Sequence, residues 1–299
     1  MTTAVQADSE VRRETRPAPA ARIATDGKFL RVPPSPRPDT DAATGERHAE
    51  ARSADAVAGE RFLVKGVTYG TFAPDTQGYQ FPPLQQVAAD FRQMASLGIN
   101  TVRTYTPPRR ELLDAAAAEG LRVMVGLPWS QHVAFLDDRS LKRTIRREIA
   151  GKVAALGDHP ALLAFALGNE IPPGVVRWHG RMRVERFLRD LYEDAKAASP
   201  DSLFTYVNFP PTEFLDLSFF DICAFNVYLH REAELRAYLA RLQHISGQKP
   251  LLLAEAGADS LSEGEEGQAA VTAMHVRAAF EEGDVLRPWQ PDHDAEAFG

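Results

Sequence analysis

Short and almost uninterrupted apolar runs recur along the chain from about residue 62, separated by longer stretches of mixed polarity. Such a run is typical of a strand that is buried on both faces, as the strands of parallel sheets are. We therefore predict seven strands, over 62–70, 100–106, 121–128, 162–170, 203–209, 221–228 and 250–256.

The stretches between these runs have the apolar spacing of amphipathic helices. Leu84, Val87 and Phe91 follow the helical period, and Gly98 comes afterwards as a stop signal. Asp138 stands at the start of another such stretch, where it can act as an N-cap. We predict helices over 84–97, 138–156, 181–198, 231–246 and 264–282.

The alternation of strands and helices predicts an α/β fold with a parallel sheet. Seven strands are more than most doubly wound sheets need and one fewer than a (β/α)8 TIM barrel requires. After the last predicted helix only the segment 284–299 remains, and its prolines Pro288 and Pro291 obstruct a strand. We therefore predict a TIM barrel that is incomplete at its eighth βα unit.

The ends of the chain and one internal stretch lack this regular pattern. An N-terminal tail and a proline-rich insert have low complexity and are expected to be disordered. The apolar residues on either side of the insert look like the two arms of a hairpin. The predicted organisation is a disordered tail over 1–26, a hairpin arm over 27–32, a disordered insert over 33–58, the barrel domain over 59–283, and an irregular C-terminal tail over 284–299.

Charge and cysteine content exclude several classes of function. The net charge of -7 gives no basic face for a nucleic acid. The single cysteine, Cys223, lies in an apolar run and rules out a disulfide framework or a cysteine-based zinc site. The polar N-terminus lacks the apolar core of a signal peptide, and no run is long enough to cross a membrane. A cytoplasmic protein is the expectation.

Two of the apolar runs end abruptly in an acid. The run beginning at Ala161 ends in Gly168-Asn169-Glu170, and the run beginning at Pro250 ends in Glu255. Barrel enzymes carry their chemistry at the carboxyl ends of strands, although a strand-end glutamate can equally cap a turn. Two acids that meet at one barrel mouth are the minimum needed to break a glycosidic bond.

Other polar and aromatic residues near the predicted strand ends allow further readings. Aromatic rings suit sugar recognition, because a pyranose stacks on them, although any one ring could equally pack in the core. We predict Tyr69, Trp129 and Trp178 as substrate contacts, and favour the two tryptophans because they lie in loops after strands. A metal site built from Glu170, Glu255, His230 and Asp221 is conceivable, yet no closely spaced ligand motif supports it. We therefore expect no metal and no cofactor.

Four motifs in order carry a resemblance to a known family: Lys65-Gly66-Val67-Thr68-Tyr69-Gly70, Gly98-Ile99-Asn100-Thr101-Val102-Arg103, Gly168-Asn169-Glu170 and Ala254-Glu255-Ala256-Gly257. Over about 60–283 the chain resembles clan A glycoside hydrolases, most closely the family 2-type TIM-barrel domain of bacteria. The resemblance implies that Glu170 is the acid/base and Glu255 the nucleophile. It also implies that Asn169 binds a sugar 2-hydroxyl, and that Arg103 and Tyr228 support the nucleophile.

The resemblance implies a retaining glycoside hydrolase or transglycosylase that acts on a β-linked, glucan-like oligosaccharide or polysaccharide. Such domains often stand beside or fused to glycosyltransferases, so an association with one is expected. The family carries a tryptophan on its eighth strand, whereas Trp289 here lies in a proline-flanked segment. Two alternatives remain open: a catalytically inactive carbohydrate-binding or interaction module, and a metal-dependent barrel isomerase or lyase.

Overall fold

The computed structural model describes residues 22–32 and 59–283 of the chain. Within these ranges the strands are β1 Ala24–Asp26, β2 Phe29–Val32, β3 Glu60–Arg61, β4 Gly66–Thr68, β5 Thr101–Thr104, β6 Arg122–Gly126, β7 Leu162–Asn169, β8 Phe204–Asn208, β9 Cys223–Asn226 and β10 Leu251–Glu255. The helices are α1 Leu84–Ser96, α2 Arg110–Ala118, α3 Arg139–Leu156, α4 Pro173–His179, α5 Arg181–Ala198, α6 Glu232–Ser246 and α7 Ser260–Gly283, which is interrupted at Gly264.

The main sheet consists of the seven strands β4 to β10, which are parallel and lie side by side in chain order. Side chains on one face pack with each other inside the curved sheet, among them Met124, Ala166 and Ala224. Those on the other face, such as Val125 and Phe165, pack in the layer that includes the helices. This is the α/β TIM barrel predicted from the sequence, and the described residues contain seven of its eight strands.

Burial falls from the middle of this sheet to its margins. Every residue of β5, β6 and β8 is buried, whereas all three residues of β4 are exposed and those of β10 are partly exposed. Each marginal strand has one hydrogen-bonded neighbour among the described strands. The eighth βα unit would stand between these two margins in a complete barrel.

A small antiparallel sheet of β1, β2 and β3 packs against one end of the barrel. Ile23 and Leu30 join the interior cluster beside Leu163, Leu203 and Ile222, which lie near the amino ends of their strands. The pairing of β2 with β3 forms the hairpin expected on either side of the insert. The tail prediction is corrected at its end, because Ala24–Asp26 forms a strand paired with β2.

The five predicted helices are all present, with ends that differ by a few residues. The Asp138 side chain caps α3 by accepting hydrogen bonds from the backbone N–H groups of Ser140 and Leu141, and Gly98, with φ of 81°, follows α1. Helices α2 and α4 were not predicted. Helix α2 is short and alanine-rich, and α4 spans one or two turns after a proline pair, so neither shows a full apolar period.

Several predictions concern residues beyond these ranges. The disordered tail up to residue 21, the insert over 33–58 and the C-terminal tail over 284–299 lie outside the described residues. In the part of the chain that is described, no helix has the length and apolar character needed to cross a membrane.

Candidate active site

Glu170 and Glu255 both stand at the carboxyl end of a barrel strand. Glu170 directly follows β7, the fourth strand of the barrel, and Glu255 is the last residue of β10, the seventh. The carboxyl ends of parallel strands lie at one end of a barrel, so the two strands present these acids at the same mouth.

A register irregularity precedes each glutamate. On β10, Leu253 pairs with Phe225 while Glu255 pairs with the next residue, Asn226, so the strand holds an extra residue. Simple alternation would put Glu255 on the same face as Leu251 and Leu253, which pack against the cluster that includes α6 and α7. The bulge re-aims the Glu255 side chain into the barrel mouth.

The bulge in β7 turns two adjacent residues towards the mouth. Ala166 pairs with Thr205 and Asn169 with Val207, which leaves one extra residue between them on β7. Glu170 has φ of 50°, the one positive value among the described residues other than glycine. Such a conformation is strained and is found at functional sites more than elsewhere.

Because Gly168, just before this pair, has no side chain, two aromatic rings can approach its backbone closely. Its φ is 142°, and an added Cβ would stand 3.0 Å from Trp129 Nε1 and 3.2 Å from Tyr206 Cε2. The Trp129 indole in turn donates a hydrogen bond to the Leu167 carbonyl oxygen at 2.9 Å. The close approach of these two rings therefore fixes the backbone that carries Asn169 and Glu170.

Three side chains hold the Glu255 carboxylate. Arg103 Nη1 donates to Oε1 at 2.5 Å and to the Ala254 carbonyl oxygen at 3.1 Å. The Tyr228 hydroxyl donates to Oε2, and the Tyr105 hydroxyl also bonds to this carboxylate. Burial, followed by the hydrogen bond to Glu255, raises the pKa of Tyr228, and burial raises the pKa of Tyr105. Both phenols therefore stay protonated donors well beyond neutral pH.

A chain of hydrogen bonds connects the two glutamates. Arg103 Nη2 donates to Asn169 Oδ1 at 2.9 Å, and Asn226 Nδ2 donates to the same oxygen at 3.2 Å. Asn226 Nδ2 also donates to Glu170 Oε1 at 2.7 Å. We call the residues joined in this way the two-glutamate cluster: Arg103, Tyr105, Asn169, Glu170, Asn226, Tyr228 and Glu255.

The cluster contains most of the residues predicted from the sequence, but Tyr69 is not among them. Its ring is buried against Phe72 and Phe91, and its hydroxyl donates to Asp90 Oδ2 of α1 at 2.6 Å. The prediction that Tyr69 contacts substrate is therefore corrected, since this side chain packs between the barrel and its first helix.

The two predicted tryptophans lie outside the cluster. Trp129 is half-buried and packs edge-on against Phe135 and Phe187, so its place is structural support for the end of β7. Trp178 on α4 is 72% exposed, with its indole N–H bonded to Asp137 Oδ2 at 2.7 Å. An exposed ring in the segment that follows Glu170 stays a proposed contact for a sugar unit away from the glutamates.

Tyr105 and Asn226 belong to the cluster but were not among the predicted site residues. Each is two positions from a residue that was predicted, because Tyr105 follows Arg103 and Asn226 precedes Tyr228. Residues two apart on a strand share a face, so the period of two was a signal that could have found both. Gln131, whose Oε1 accepts from the Asn169 backbone N–H at 3.1 Å, lies in a loop and had no such signal.

The four residues weighed as metal ligands do not meet. Asp221 accepts from the backbone N–H of Phe204 at the amino end of β8, and His230 lies 3.5 Å from Glu263. Over residues 22–32 and 59–283 no group of three or more His, Cys, Asp or Glu side chains could hold a metal ion.

The sequence over residues 53–293 matches the family model for the TIM barrel domain of glycosyl hydrolases family 2. The chain belongs to this family. The match confirms the resemblance drawn from the four motifs. It also confirms the predicted enzyme class, glycoside hydrolase. No curated protein matches the chain by sequence.

Solved structures with the same fold include larger members of glycosyl hydrolases family 2 and related glycosidases. A β-glucuronidase of Bifidobacterium dentium has a TM-score of 0.67 and 18% identity, over 90% of this chain and 41% of its own. A family 2 β-galacturonidase of Eisenbergiella tayi has a TM-score of 0.65 and 17% identity, over 87% of this chain and 44% of its own. A β-glucuronidase of Ruminococcus gnavus has a TM-score of 0.65 and 14% identity, over 87% of this chain and 43% of its own. The chain spans less than half the length of these proteins.

Proposed function

We propose that the protein is a retaining glycoside hydrolase or transglycosylase in which Glu255 is the nucleophile and Glu170 the general acid/base. The observation that carries the proposal is the hydrogen-bonded chain Glu255–Arg103–Asn169–Asn226–Glu170 at the carboxyl ends of the strands. It couples two carboxylates through neutral amides and one guanidinium. Such pairs of acids carry out double displacement at the anomeric carbon.

In the first step a Glu255 carboxylate oxygen attacks the anomeric carbon. The bond between that carbon and the glycosidic oxygen breaks, and Glu170 gives its proton to the departing oxygen. Arg103, Tyr105 and Tyr228 point their donors at the Glu255 carboxylate, so they fix the direction of its attack.

In the second step Glu170, now a carboxylate, takes a proton from an acceptor hydroxyl. The acceptor oxygen attacks the anomeric carbon, the bond to Glu255 breaks, and the free carboxylate is restored. Water as acceptor gives hydrolysis, and a sugar hydroxyl gives transglycosylation. The half-exposed Tyr228 beside Glu255 supports an open mouth to which either acceptor has access.

The proposed substrate is a neutral, β-linked and glucan-like oligosaccharide or polysaccharide. The structural neighbours act on glucuronides and galacturonides, whose carboxylates need a cationic partner. Among the described residues, Arg103 is the one cationic member of the two-glutamate cluster, and its guanidinium already donates hydrogen bonds to Glu255 and Asn169. This supports a sugar without a carboxylate.

The expected setting of the activity is part of the same proposal. A cytoplasmic location, a role in bacterial carbohydrate metabolism and an association with a glycosyltransferase were each inferred from the sequence or its family resemblance. Co-purification of a glycosyltransferase with the tagged full chain from its native cells would support the last of these, and its repeated failure under mild conditions would oppose it.

The test uses 4-nitrophenyl β-glucoside, β-galactoside and β-glucuronide with the full chain. Cleavage of a neutral glycoside, with the first-formed sugar observed as the β-anomer by NMR, is the expected result. An α-anomer would exclude double displacement, and preference for the glucuronide would overturn the proposed substrate class. Adding a β-glucan oligosaccharide as acceptor separates transglycosylation from hydrolysis by the appearance of longer products.

The exposed margin strand β4 favours a second candidate, a module that binds a glycan without turning it over. A barrel with an open wall would lack one side of a sugar subsite. Calorimetric binding of a β-glucan oligosaccharide, with no product from any glycoside over days, would support this candidate against the enzyme.

A further inference from the structure

The orientation of the Asn226 side-chain amide follows from the bonding of its neighbours. A guanidinium has donors and no acceptor, so the Asn169 atom that meets Arg103 Nη2 at 2.9 Å must be the oxygen Oδ1. The Asn226 atom that meets this oxygen at 3.2 Å must in turn be the nitrogen Nδ2. Arg103 therefore determines the orientation of both amides.

This orientation leaves the Asn226 oxygen without a partner. Asn226 is buried in the barrel, and its Oδ1 makes no hydrogen bond among the described residues. Burying an unpaired carbonyl oxygen is unfavourable, and such groups persist where function requires them. The unpaired Oδ1 is the consequence of directing both N–H groups of Nδ2 at Asn169 and Glu170.

The N–H group that Asn226 donates to Glu170 makes the two oxygens of this carboxyl group different. Nδ2 donates to Glu170 Oε1 at 2.7 Å, so Oε1 is an acceptor whether or not the carboxyl group is protonated. The proton of the acid form must then be on Oε2. Tyr206 and Tyr228 interact electrostatically with Glu170, but among the described residues Asn226 is the side chain that hydrogen-bonds to its carboxyl group.

We infer that Asn226 is a positioning residue that keeps the transferable proton of Glu170 on Oε2, aimed at the glycosidic oxygen. The inference rests on the proposed function and deepens it, because it assigns a task in the first step to a residue that touches the acid rather than the sugar. Without this donor the proton could reside on either oxygen, and the carboxyl group could rotate away from the leaving group.

The inference predicts a dependence on the leaving group. A good leaving group such as 2,4-dinitrophenolate departs without a proton, whereas phenolate needs one from Glu170. Asn226→Ala should lower kcat/KM for the phenyl β-glycoside at least about tenfold, part of the 10²- to 10⁴-fold contribution of general acid catalysis. For the 2,4-dinitrophenyl β-glycoside of the same sugar the loss should stay within about threefold.

Two further variants separate hydrogen bonding from packing. Asn226→Leu restores the volume of the side chain without an N–H group and should show the same bias between leaving groups. Asn208→Ala is the matched control, since Asn208 is a buried asparagine at the end of the neighbouring strand whose side chain bonds to Thr212. Its loss should affect both substrates equally, and thermal unfolding of each variant would show that it is folded.

The outcomes distinguish the inference from the proposed function. If the wild-type chain cleaves neither glycoside, the proposed function fails and the role of Asn226 fails with it. If it cleaves both, and folded Asn226→Ala and Asn226→Leu lose the same factor on each, Glu170 and Glu255 keep their roles but the positioning role is overturned.

Discussion

Arg103 and Glu255 are 152 positions apart in the chain, yet Arg103 Nη1 lies 2.5 Å from Glu255 Oε1. The two side chains are 6% and 12% exposed, so the ion pair is largely shielded from water. Removing one partner of such a pair leaves a buried charge without compensation. The pair therefore joins the second barrel strand to the seventh and positions the proposed nucleophile at once.

Replacing Arg103 with lysine should lower kcat/KM by a factor on the order of 10 to 10². A lysine ammonium keeps the charge but cannot reach both Glu255 and Asn169 with the two-pronged geometry of a guanidinium, and losing one hydrogen bond of a charged group corresponds to about 1.5–3 kcal/mol. Steady-state kinetics on the cleaved 4-nitrophenyl glycoside would measure this. Activity within twofold of the wild type would contradict the bidentate role.

Glu255→Ala should reduce turnover of an activated aryl β-glycoside by a factor on the order of 10⁴ or more, because no covalent intermediate can form. Sodium azide should restore part of the rate by attacking the anomeric carbon in place of the carboxylate. The product would be an α-glycosyl azide, identified by NMR. Full residual activity without azide would end the assignment of Glu255 as nucleophile.

Tyr105→Phe and Tyr228→Phe should each lower kcat by about 10- to 100-fold. Each change removes one hydrogen bond to the Glu255 carboxylate, and bonds to charged groups contribute about 1.5–3 kcal/mol. Tyr238→Phe is a suitable control, since its hydroxyl bonds to Glu213 outside the two-glutamate cluster. Equal losses in all three variants would show that the effect is general to tyrosines that bond to a glutamate, and not particular to Glu255.

Gly168→Ala should destabilise the protein by about 2 kcal/mol or more, since a side chain at φ of 142° is strained and would approach Trp129 Nε1 within 3.0 Å. The matched control is Gly174→Ala on α4, where an added Cβ meets nothing within 4 Å and a gain of up to about 1 kcal/mol is expected. Thermal unfolding would measure both changes. The same sign for both would refute the packing argument.

The folded chain should lose stability as the pH falls below about 6.5, the ordinary pKa of histidine. Burial lowers the pKa of His179 and of His275, so each stays neutral in the folded state while its unfolded counterpart takes up a proton. Asp137, close to His179, offsets part of this effect. Urea unfolding from pH 7 to pH 5 should show a decline that His179→Gln makes shallower; an unchanged slope would contradict the prediction.

The fold was predictable because the central strands of its sheet are buried on both faces. The runs ending at Glu170 and Glu255 are nearly free of polar residues, and the helices between strands show a clear apolar period. Helix α2 was not predicted because it is short and its second half is alanine, so that two leucines and one alanine form its buried face. A sequence period cannot emerge from so few large side chains.

The candidate site was predictable as far as strand ends and the family motifs indicated it. Strand ends and the motif pointed to Glu255, and the resemblance to Tyr228, whereas alternation alone would put Glu255 on the outer face, because the bulge after Leu253 reverses it. Tyr69 was misassigned for a related reason, because a tyrosine at a strand end can turn outwards to a helix, here to Asp90. Bulges and such outward turns arise from pairing between distant segments, which no local pattern encodes.

The unequal burial of the barrel strands bears on how the protein moves. Asn169 ends β7, a strand enclosed on both sides, and Glu170 follows it, while Glu255 ends the partly exposed β10. Amide hydrogen exchange should therefore be slow in β6 to β8 and faster in β10 and β4, where fewer contacts resist local opening. The proposed acid would stand on the rigid part of the wall, and the proposed nucleophile near a less protected margin, where Arg103, Tyr105 and Tyr228 hold its carboxylate in place.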